Sequence, residues 1–459
     1  MTQSAFASAS PVRYPDVKSQ PVMTRRAWVL VILNILIPGS AQLLAGNRRL
    51  GRFGVGATFI LWTLVIIGVV TFVVSRTTIL TIASMSIGLL LVALALAFYA
   101  VLWIILTLDT LRLVRLVKAV PSARGWVAGL TTVLLVATSG TALYGAFVAT
   151  TASNFISNIF VTAPPKEPVD GRYNIMLLGG DSGPDREGLR PDSITVVSID
   201  AATGAATMIG LPRDMEYVPF VEGSPMAAEY PNGYGADAGC EVSVCLLNSI
   251  YTEVELVSPE MYPNAEAEGS QPGIEGVRDA VEGITGLTVQ YYALIDMQGF
   301  LDIVDSLGGV TVDVATAVPI HSDETFTTVA EWIGPGVVKL DGYHALWYAR
   351  SRHDTSDYDR MARQRQLEEA MLEQFTPANI LSQLQAVAAA GTRTVKTDIP
   401  QASLGYFVDL ASKTKNLPLT SVELVPDNGV DPQGPNFDYI RELVAAGIAP
   451  ITSPDSTGG

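Results

Sequence analysis

The sequence predicts an α/β domain, a layered sheet with helices on both faces, preceded by an α-helical membrane region. Three observations predict it. Four uncharged apolar runs crowd the first third of the chain, basic and acidic residues divide between its halves, and from Tyr173 onward β-type runs alternate with stretches of helical spacing. With 459 residues and 49 % apolar side chains, the chain has room for a membrane region and a full soluble domain.

The apolar runs are Ala27 to Asn47, Phe53 to Ser75, Thr77 to Leu108 and Gly125 to Pro165. Each is long enough to cross a bilayer, which takes roughly 20 residues. Basic residues fix the expected orientation, because Lys and Arg stay on the cytoplasmic side of short loops. Arg25, Arg26, Arg48, Arg49, Arg52, Arg112, Arg115, Lys118 and Arg124 cluster at one side, and Arg76 alone lies in the loop between runs two and three. With Arg76 outward, the chain leaves run four outside a bacterial plasma membrane, so the soluble half is expected to be extracytoplasmic. The first run is flanked by basic clusters and interrupted by Pro38-Gly39, which suits a re-entrant hairpin or a further crossing equally. No cleavable signal is expected, since the apolar segments follow a polar leader of about two dozen residues. The expected organisation is a cytoplasmic tail (1–26), a membrane region (27–150), a linker (151–172), the α/β domain (173–450) and a polar tail (451–459).

Residues 1–169 carry 13 Lys and Arg against 3 acids, and residues 170–459 carry 16 against 42. That negative field excludes nucleic acid as a partner and makes any arginine cluster in the second half a local feature. The two cysteines, Cys240 and Cys245, lie in that half, where a short-range disulfide and a pair of free thiols are both compatible with their spacing. Strands are expected at Asn174 to Leu178, Ser193 to Asp200, Thr207 to Leu211, Gln290 to Ile295, Gly309 to Val314 and near Ser421 to Val425. Helices are expected at Val244 to Leu256, Gly273 to Ile284, Met297 to Leu307, Asp341 to Ser351, Ser356 to Phe375, Pro377 to Ala390 and Tyr439 to Ala446. The Gly-, Pro- and acid-rich stretches Tyr217 to Ala238 and Ser258 to Pro272 read as loops.

Three constellations carry chemistry. Asp181 ends the first strand and Asp192 precedes the second, so pairing of those strands brings two carboxylates to one end of the sheet. Two carboxylates with phosphate oxygens form the hard oxygen set Mg²⁺ prefers, although both acids also suit turns and caps. Leu211-Pro212-Arg213-Asp214 follows the third strand and puts Arg213 within reach of the same edge. The third is Tyr348 to Gln364, where Arg350, Arg352, Arg360, Arg363 and Arg365 fall within 16 positions and Arg360 and Gln364 share a helix face. Guanidinium groups grip phosphate oxygens in bidentate fashion, and several together neutralise a diphosphate. Arg363 and Arg365 serve equally well in surface pairs with Asp357, Asp359, Glu368 and Glu369. His321, His344 and His353 show no metal-ligand spacing, and no nucleotide-binding or serine-nucleophile motif is present. Transfer chemistry outside the membrane has no ATP and must draw on a bond made inside, a need that a lipid-linked pyrophosphate meets.

Across Tyr173 to about Phe375 the chain resembles the LytR-CpsA-Psr family of cell-envelope phosphotransferases. Four ordered blocks carry the resemblance: Asn174 to Gly179 with Asp181; Arg190 to Asp200, ending in Leu211 to Asp214; Tyr292 to Gly309; and Leu340 to Gln364. The resemblance implies an α/β/α sandwich that moves a phosphoglycan from a polyprenyl pyrophosphate carrier in the membrane lipid to a peptidoglycan acceptor, with Mg²⁺. It implies that Asp181 and Asp192 hold the metal, and that Arg190, Arg213, Arg350, Arg352, Arg360 and Gln364 hold the pyrophosphate, Arg213 and Arg352 with the two acids forming the catalytic set. Apolar residues of Tyr292 to Phe300 and Val304 to Leu307 either line a lipid tunnel or form ordinary core. The family often has Arg soon after the first Asp, where this chain has Gly183 with Arg186 nearby, and Lys two residues before the position of Asn248, where this chain has Leu246. Those departures, with more membrane segments than the usual single anchor, leave a second expectation: a non-catalytic scaffold that binds polyprenyl phosphate.

Overall fold

A computed structural model describes residues 12–181, 190–237, 239–321, 328–351, 356–374 and 395–449. The chain divides between Ser153 and Asn154 into two compact units.

The first unit holds the helices α1 (Gln20–Leu36), α2 (Ser40–Ala45), α3 (Arg48–Val74), α4 (Arg76–Ser84), α5 (Ser86–Val114) and α6 (Pro121–Ile159). Among the described residues, the segments Arg48–Val74, Ser86–Lys118 and Pro121–Ile159 are long and apolar enough to cross a membrane. The first apolar run is broken at Ile37 to Gly39, where Gly39 takes φ 97° and α2 turns back. Only glycine fits there: a Cβ on Gly39 would meet the backbone of Gly54 and Val55 at 2.8 and 2.7 Å. Gln42 Nε2 donates to Leu106 O at 2.7 Å and Thr110 Oγ1 at 2.9 Å, and Asn34 Nδ2 donates to Thr107 Oγ1 at 3.2 Å, fastening α1 and α2 to α5. The third run is likewise divided, at Met85 between α4 and α5, and residues 151–159, expected as linker, continue α6.

The second unit is built on a six-stranded sheet among the described residues. Its strands are β1 (Arg172–Asp181), β2 (Arg190–Asp200), β3 (Ala206–Leu211), β4 (Tyr291–Asp296), β9 (Val395–Thr397) and β10 (Thr420–Glu423), in the order β10-β3-β2-β1-β4-β9. β1–β2, β2–β3 and β4–β9 are antiparallel, while β1–β4 and β3–β10 are parallel. Two two-stranded ribbons lie apart from it: β5 (Val310–Val314) with β8 (Gly336–Leu340), and β6 (Val318–His321) with β7 (Val329–Ile333).

The alternation of side chains along β1 sorts residues to two faces. Met176 and Leu178 join a core with α9 (Pro272–Thr285), through Ile274, Val277 and Val281, and with a C-terminal helix, Phe437–Ile448, through Ile440 and Val444. Tyr173 and Ile175 face the other way, onto Tyr406, Phe407 and Leu410 of helix Leu404–Thr414. The layering is therefore helix, sheet, helix. A satellite core forms where α10 (Met297–Ser306), α11 (Gly342–Arg350) and α12 (Asp357–Gln374) meet the β5–β8 ribbon around Val304, Val310, Tyr348 and Leu367. Tyr292, Leu294 and Val304, weighed above as tunnel wall or core, are core.

Val244 to Leu256, expected as one helix, is a 3₁₀ turn, a single α-turn α8 (Ile250–Thr252) and a π turn in succession. The loop Tyr217 to Ala238 carries one short helix, α7 (Pro225–Glu229). Cys240 and Cys245 are joined by a disulfide with their Cα atoms 5.7 Å apart. The expected helix Pro377 to Ala390 lies outside the described residues.

α11 begins hard against α10. Asp341 caps it through His344 N at 2.9 Å, Gly342 N donates to Asp305 Oδ1 at 2.7 Å, and a Cβ on Gly342 would lie 2.3 Å from Leu301 O. Gly342→Ala is expected to lower the stability of the second unit by about 1–3 kcal/mol, because a backbone oxygen cannot step aside as a side-chain tip can. A chemical denaturation midpoint equal to that of the parent chain contradicts this.

Candidate functional site

The site grows from a defect in the ladder between β1 and β2. Gly179 pairs with Ser193 and Gly180 with Pro191, so Asp192 is an extra residue bulged out of β2. Bulges bend a strand and re-aim a side chain. Asp181 closes β1 opposite Arg190, so the two acids singled out above do share one end of the sheet.

Arg213 comes from the end of β3, the next strand over. Its Nη1 donates to the Asp192 carboxylate in a close ion pair, with the two side chains 21 % and 23 % exposed, open enough to meet a ligand. Arg360, on the first turn of α12, is one of the most deeply buried large side chains of the chain and lies with Nη2 3.5 Å from Asp192 O. Gln364, one turn on, donates from Nε2 to Ala349 O at 3.2 Å. Asp192, Ser193, Arg213, Gln364, Arg365 and Glu368 share one cleft.

Arg350 is exposed at the C-terminus of α11, next to the Ala349 carbonyl that Gln364 holds, and Arg190 stands across from Asp181. Neither lines the Asp192 cleft. Arg352, His353, Gly183 and Arg186 lie outside the described residues. Leu246, where the resemblance leads one to expect a lysine, is two residues from Asn248, whose N–H donates to Arg213 O at 3.0 Å. The departure thus falls in the segment whose backbone is bonded to that of Arg213.

Arg363 and Arg365 depart from the expected solvated pairs. Arg363 donates to Tyr348 O at 3.0 Å and to Ser351 O, securing the end of α11, a common use of a cation at helix carbonyls. Arg365 is 8 % exposed and donates to Glu423 Oε1 at 2.8 Å, Glu368 Oε2 at 2.9 Å and Thr195 Oγ1 at 3.3 Å, tying α12 to β10 and β2.

Glu368 is the site residue that sequence reading assigned only to surface pairing. It extends the Arg360–Gln364 face by one further turn, a spacing that could have flagged it. Burial pushes its carboxyl up to about 7, against the lowering pull of Arg365 and of a hydrogen bond from Ser193. A raised folded-state value means the folded unit holds this proton more tightly than the unfolded chain. The contribution is complete below about pH 4.5 and lost as pH rises to about 7. Glu368→Gln is thus expected to flatten the loss of stability between pH 5 and 8 by roughly 2 kcal/mol; denaturation curves of equal pH dependence in both proteins contradict it.

Among the described residues no three acids or histidines gather closely enough to hold a metal by themselves. The partial exposure of Asp192 leaves its carboxylate reachable by a Mg²⁺ that takes most of its ligands from phosphate and water, while the Asp181 side chain lies outside what is described.

The family model LytR_cpsA_psr matches residues 146–436, nearly the whole of the second unit and more than half of the chain. The chain belongs to the LytR-CpsA-Psr family. It is 28 % identical over 290 residues to the cell wall biosynthesis protein LcpA of Corynebacterium glutamicum, a match covering 57 % of this chain and 52 % of that protein. It is 27 % identical over 266 residues to the polyisoprenyl-teichoic acid–peptidoglycan teichoic acid transferase TagU of Bacillus mycoides, covering 57 % of this chain and 70 % of that one. Against the crystal structure of Bacillus subtilis TagV the TM-score is 0.42 at 18 % identity, over 62 % of this chain and 98 % of that one. The chain thus spans only about half the length of its Corynebacterium relative. In this member of the LytR-CpsA-Psr family, the residues gathered around the bulged Asp192 form the candidate active site.

Proposed function

We propose that this protein transfers a phosphoglycan from a polyprenyl pyrophosphate carrier to peptidoglycan on the outer side of the plasma membrane, as the final step in anchoring a cell-wall polymer. The convergence of Asp192, Arg213, Arg360 and Gln364, from three separate elements, on one end of the sheet carries the reading. Guanidinium groups held at one sheet end suit a reaction whose transition state spreads charge over phosphoryl oxygens. The relatives' names, a cell wall biosynthesis protein and a teichoic acid transferase to peptidoglycan, support the substrate class.

In the reaction, an acceptor hydroxyl oxygen forms a bond to the glycan-side phosphorus. The bond from that phosphorus to the bridging oxygen breaks, and polyprenyl phosphate leaves. One of Asp192 and Asp181 receives the hydroxyl proton. Arg213 and Arg360 neutralise the diphosphate, Gln364 orients it, and Arg350 and Arg190, with Arg352 by its motif position, add positive charge. A Mg²⁺ held by Asp181 and Asp192 would supply further neutralisation of the phosphate oxygens. The three apolar helices found among the described residues suit a membrane anchor for a protein with a lipid-linked substrate, and a disulfide in the second unit suits an oxidising exterior.

The test is release of polyprenyl phosphate by the full chain in phospholipid vesicles, given a lipid-linked glycan donor and peptidoglycan oligomers. Turnover is expected with Mg²⁺ and its loss on chelation. Lipid binding without turnover would instead favour a scaffold that holds polyprenyl phosphate. A reporter active only in the cytoplasm, fused after Gly459, is expected to be silent.

A further inference from the structure

The second unit contains a larger cavity away from the Asp192 cleft, about 400 Å³, within the size range of small-ligand sites. The β7 strand, the β8 strand and the N-terminus of α11 wall it, through Glu331, Trp332, Lys339, Asp341 and His344, with Asp305 of α10 at its base. Trp332 is 55 % exposed, an indole left in water on an ordered strand. His344 Nδ1 lies 2.6 Å from Asp341 Oδ1 and its Nε2 3.4 Å from Glu331 Oε2, so the polar groups form a connected rim.

The chemistry of this rim selects among ligands. Three carboxylates against one lysine and one histidine disfavour a polyanion such as a phosphate polymer. Carboxylates accept hydrogen bonds from hydroxyls, and an open indole face packs against the apolar face of a sugar ring. An exposed aromatic beside acceptor oxygens in a concave site therefore suits a neutral, hydroxyl-rich glycan.

The helix α11, whose first turn walls the cavity, also leads away from it. Tyr343, Trp347 and Arg350 stand at i, i+4 and i+7 on one face of α11, with Tyr343 48 % exposed and its ring centroid 6.4 Å from that of Trp347. That face starts at Tyr343, whose ring centroid lies 5.5 Å from that of the cavity residue His344, and ends at Arg350, beside the Ala349 carbonyl held by Gln364 of the candidate active site. A helix of this length spans about 13 Å. We propose that the Trp332 cavity and the Tyr343–Trp347 ledge form the binding site for the acceptor glycan strand, which they lead from β7 along α11 toward the pyrophosphate. The assignment of the glycan as acceptor rests on the proposed transferase reading. It separates donor from acceptor by charge: the anionic donor meets arginines at one end of α11, and the neutral sugar backbone of the acceptor meets an indole and carboxylates at the other.

The test uses the full chain in detergent micelles, titrated calorimetrically with the β-1,4-linked tetramer of N-acetylglucosamine, a neutral mimic of the acceptor backbone. The parent chain is expected to bind, Trp332→Ala to bind about tenfold more weakly, and Trp332→Phe to keep most of the affinity, with Tyr343→Ala intermediate. Polyprenyl phosphate binding is expected to be equal in all four proteins. In the transfer assay, Trp332→Ala is expected to raise the acceptor KM about tenfold with kcat nearly unchanged. No binding by the parent chain, or equal binding by Trp332→Ala, overturns the proposal. Tetramer binding that depends on Trp332 without any transfer supports the glycan site while rejecting the transferase reading, so the two fail separately.

Discussion

Arg213→Ala is expected to lower kcat/KM for polyprenyl phosphate release by about 10²- to 10³-fold, the cost of removing one preorganised charge from a developing oxyanion. Its side chain is bound to the Asp192 carboxylate, and its main-chain carbonyl is fixed by Asn248 N, so the guanidinium is held in place before substrate arrives. Truncation removes a cation from the diphosphate and also frees the carboxylate it orients. The pair therefore acts as a unit, and Asp192→Ala combined with Arg213→Ala is expected to cost little more than the worse single change. Arg213→Lys keeps the charge but loses the planar fork, and is expected to recover only part of the activity. Leu246 sharpens the case: with no lysine two residues before Asn248, Arg213 is expected to carry more of the neutralisation in this chain. Turnover by Arg213→Ala at the parent rate excludes the assignment.

The sheet end at which this chemistry sits was legible because its signals are local. Asp181 follows the first apolar run and Arg190 precedes the second, and antiparallel pairing of those adjacent runs puts them together. Arg360 and Gln364 were legible for the same reason, being one helical turn apart. The bulge at Asp192 was not, since a one-residue slip in register leaves no mark on the residue pattern. Arg365 was left open between phosphate grip and surface pairing, and Glu368 was read only as a surface partner, because the burial of Arg365 depends on Glu423 and Thr195, contributed by strands far away in sequence. The same limit hid β6, β7 and β8. Trp332, Val337 and Lys339 expose their side chains on short ribbons, so they never formed the apolar run that marks a core strand. Helix Leu404–Thr414 went unread too, though Tyr406, Phe407 and Leu410 cover the second face of the sheet.

The second large effect expected is on stability, at an ion pair that fastens the edge of this sheet. Asp398 follows β9 and is 4 % exposed, yet it carries a carboxylate. Arg278 of α9 donates to it at 2.7 Å, the Tyr292 N–H of β4 at 2.8 Å, and Lys166 reaches it at 3.4 Å. Arg278 is 9 % exposed, and its guanidinium is also 5.9 Å from the Tyr292 ring centroid. Arg278→Ala strands the carboxylate with only a backbone N–H and a half-exposed lysine, and is expected to destabilise the second unit by about 3–5 kcal/mol. Asp398→Asn, which keeps an acceptor for Tyr292 N and removes the charge, is expected to cost less. Replacing both partners with apolar side chains, Arg278→Met with Asp398→Leu, is expected to restore much of what Arg278→Ala loses, because the penalty lies in the unpaired charge. Urea denaturation followed by far-ultraviolet circular dichroism ranks the four proteins. An Arg278→Ala midpoint level with the parent chain means that water already solvates Asp398 in the folded unit.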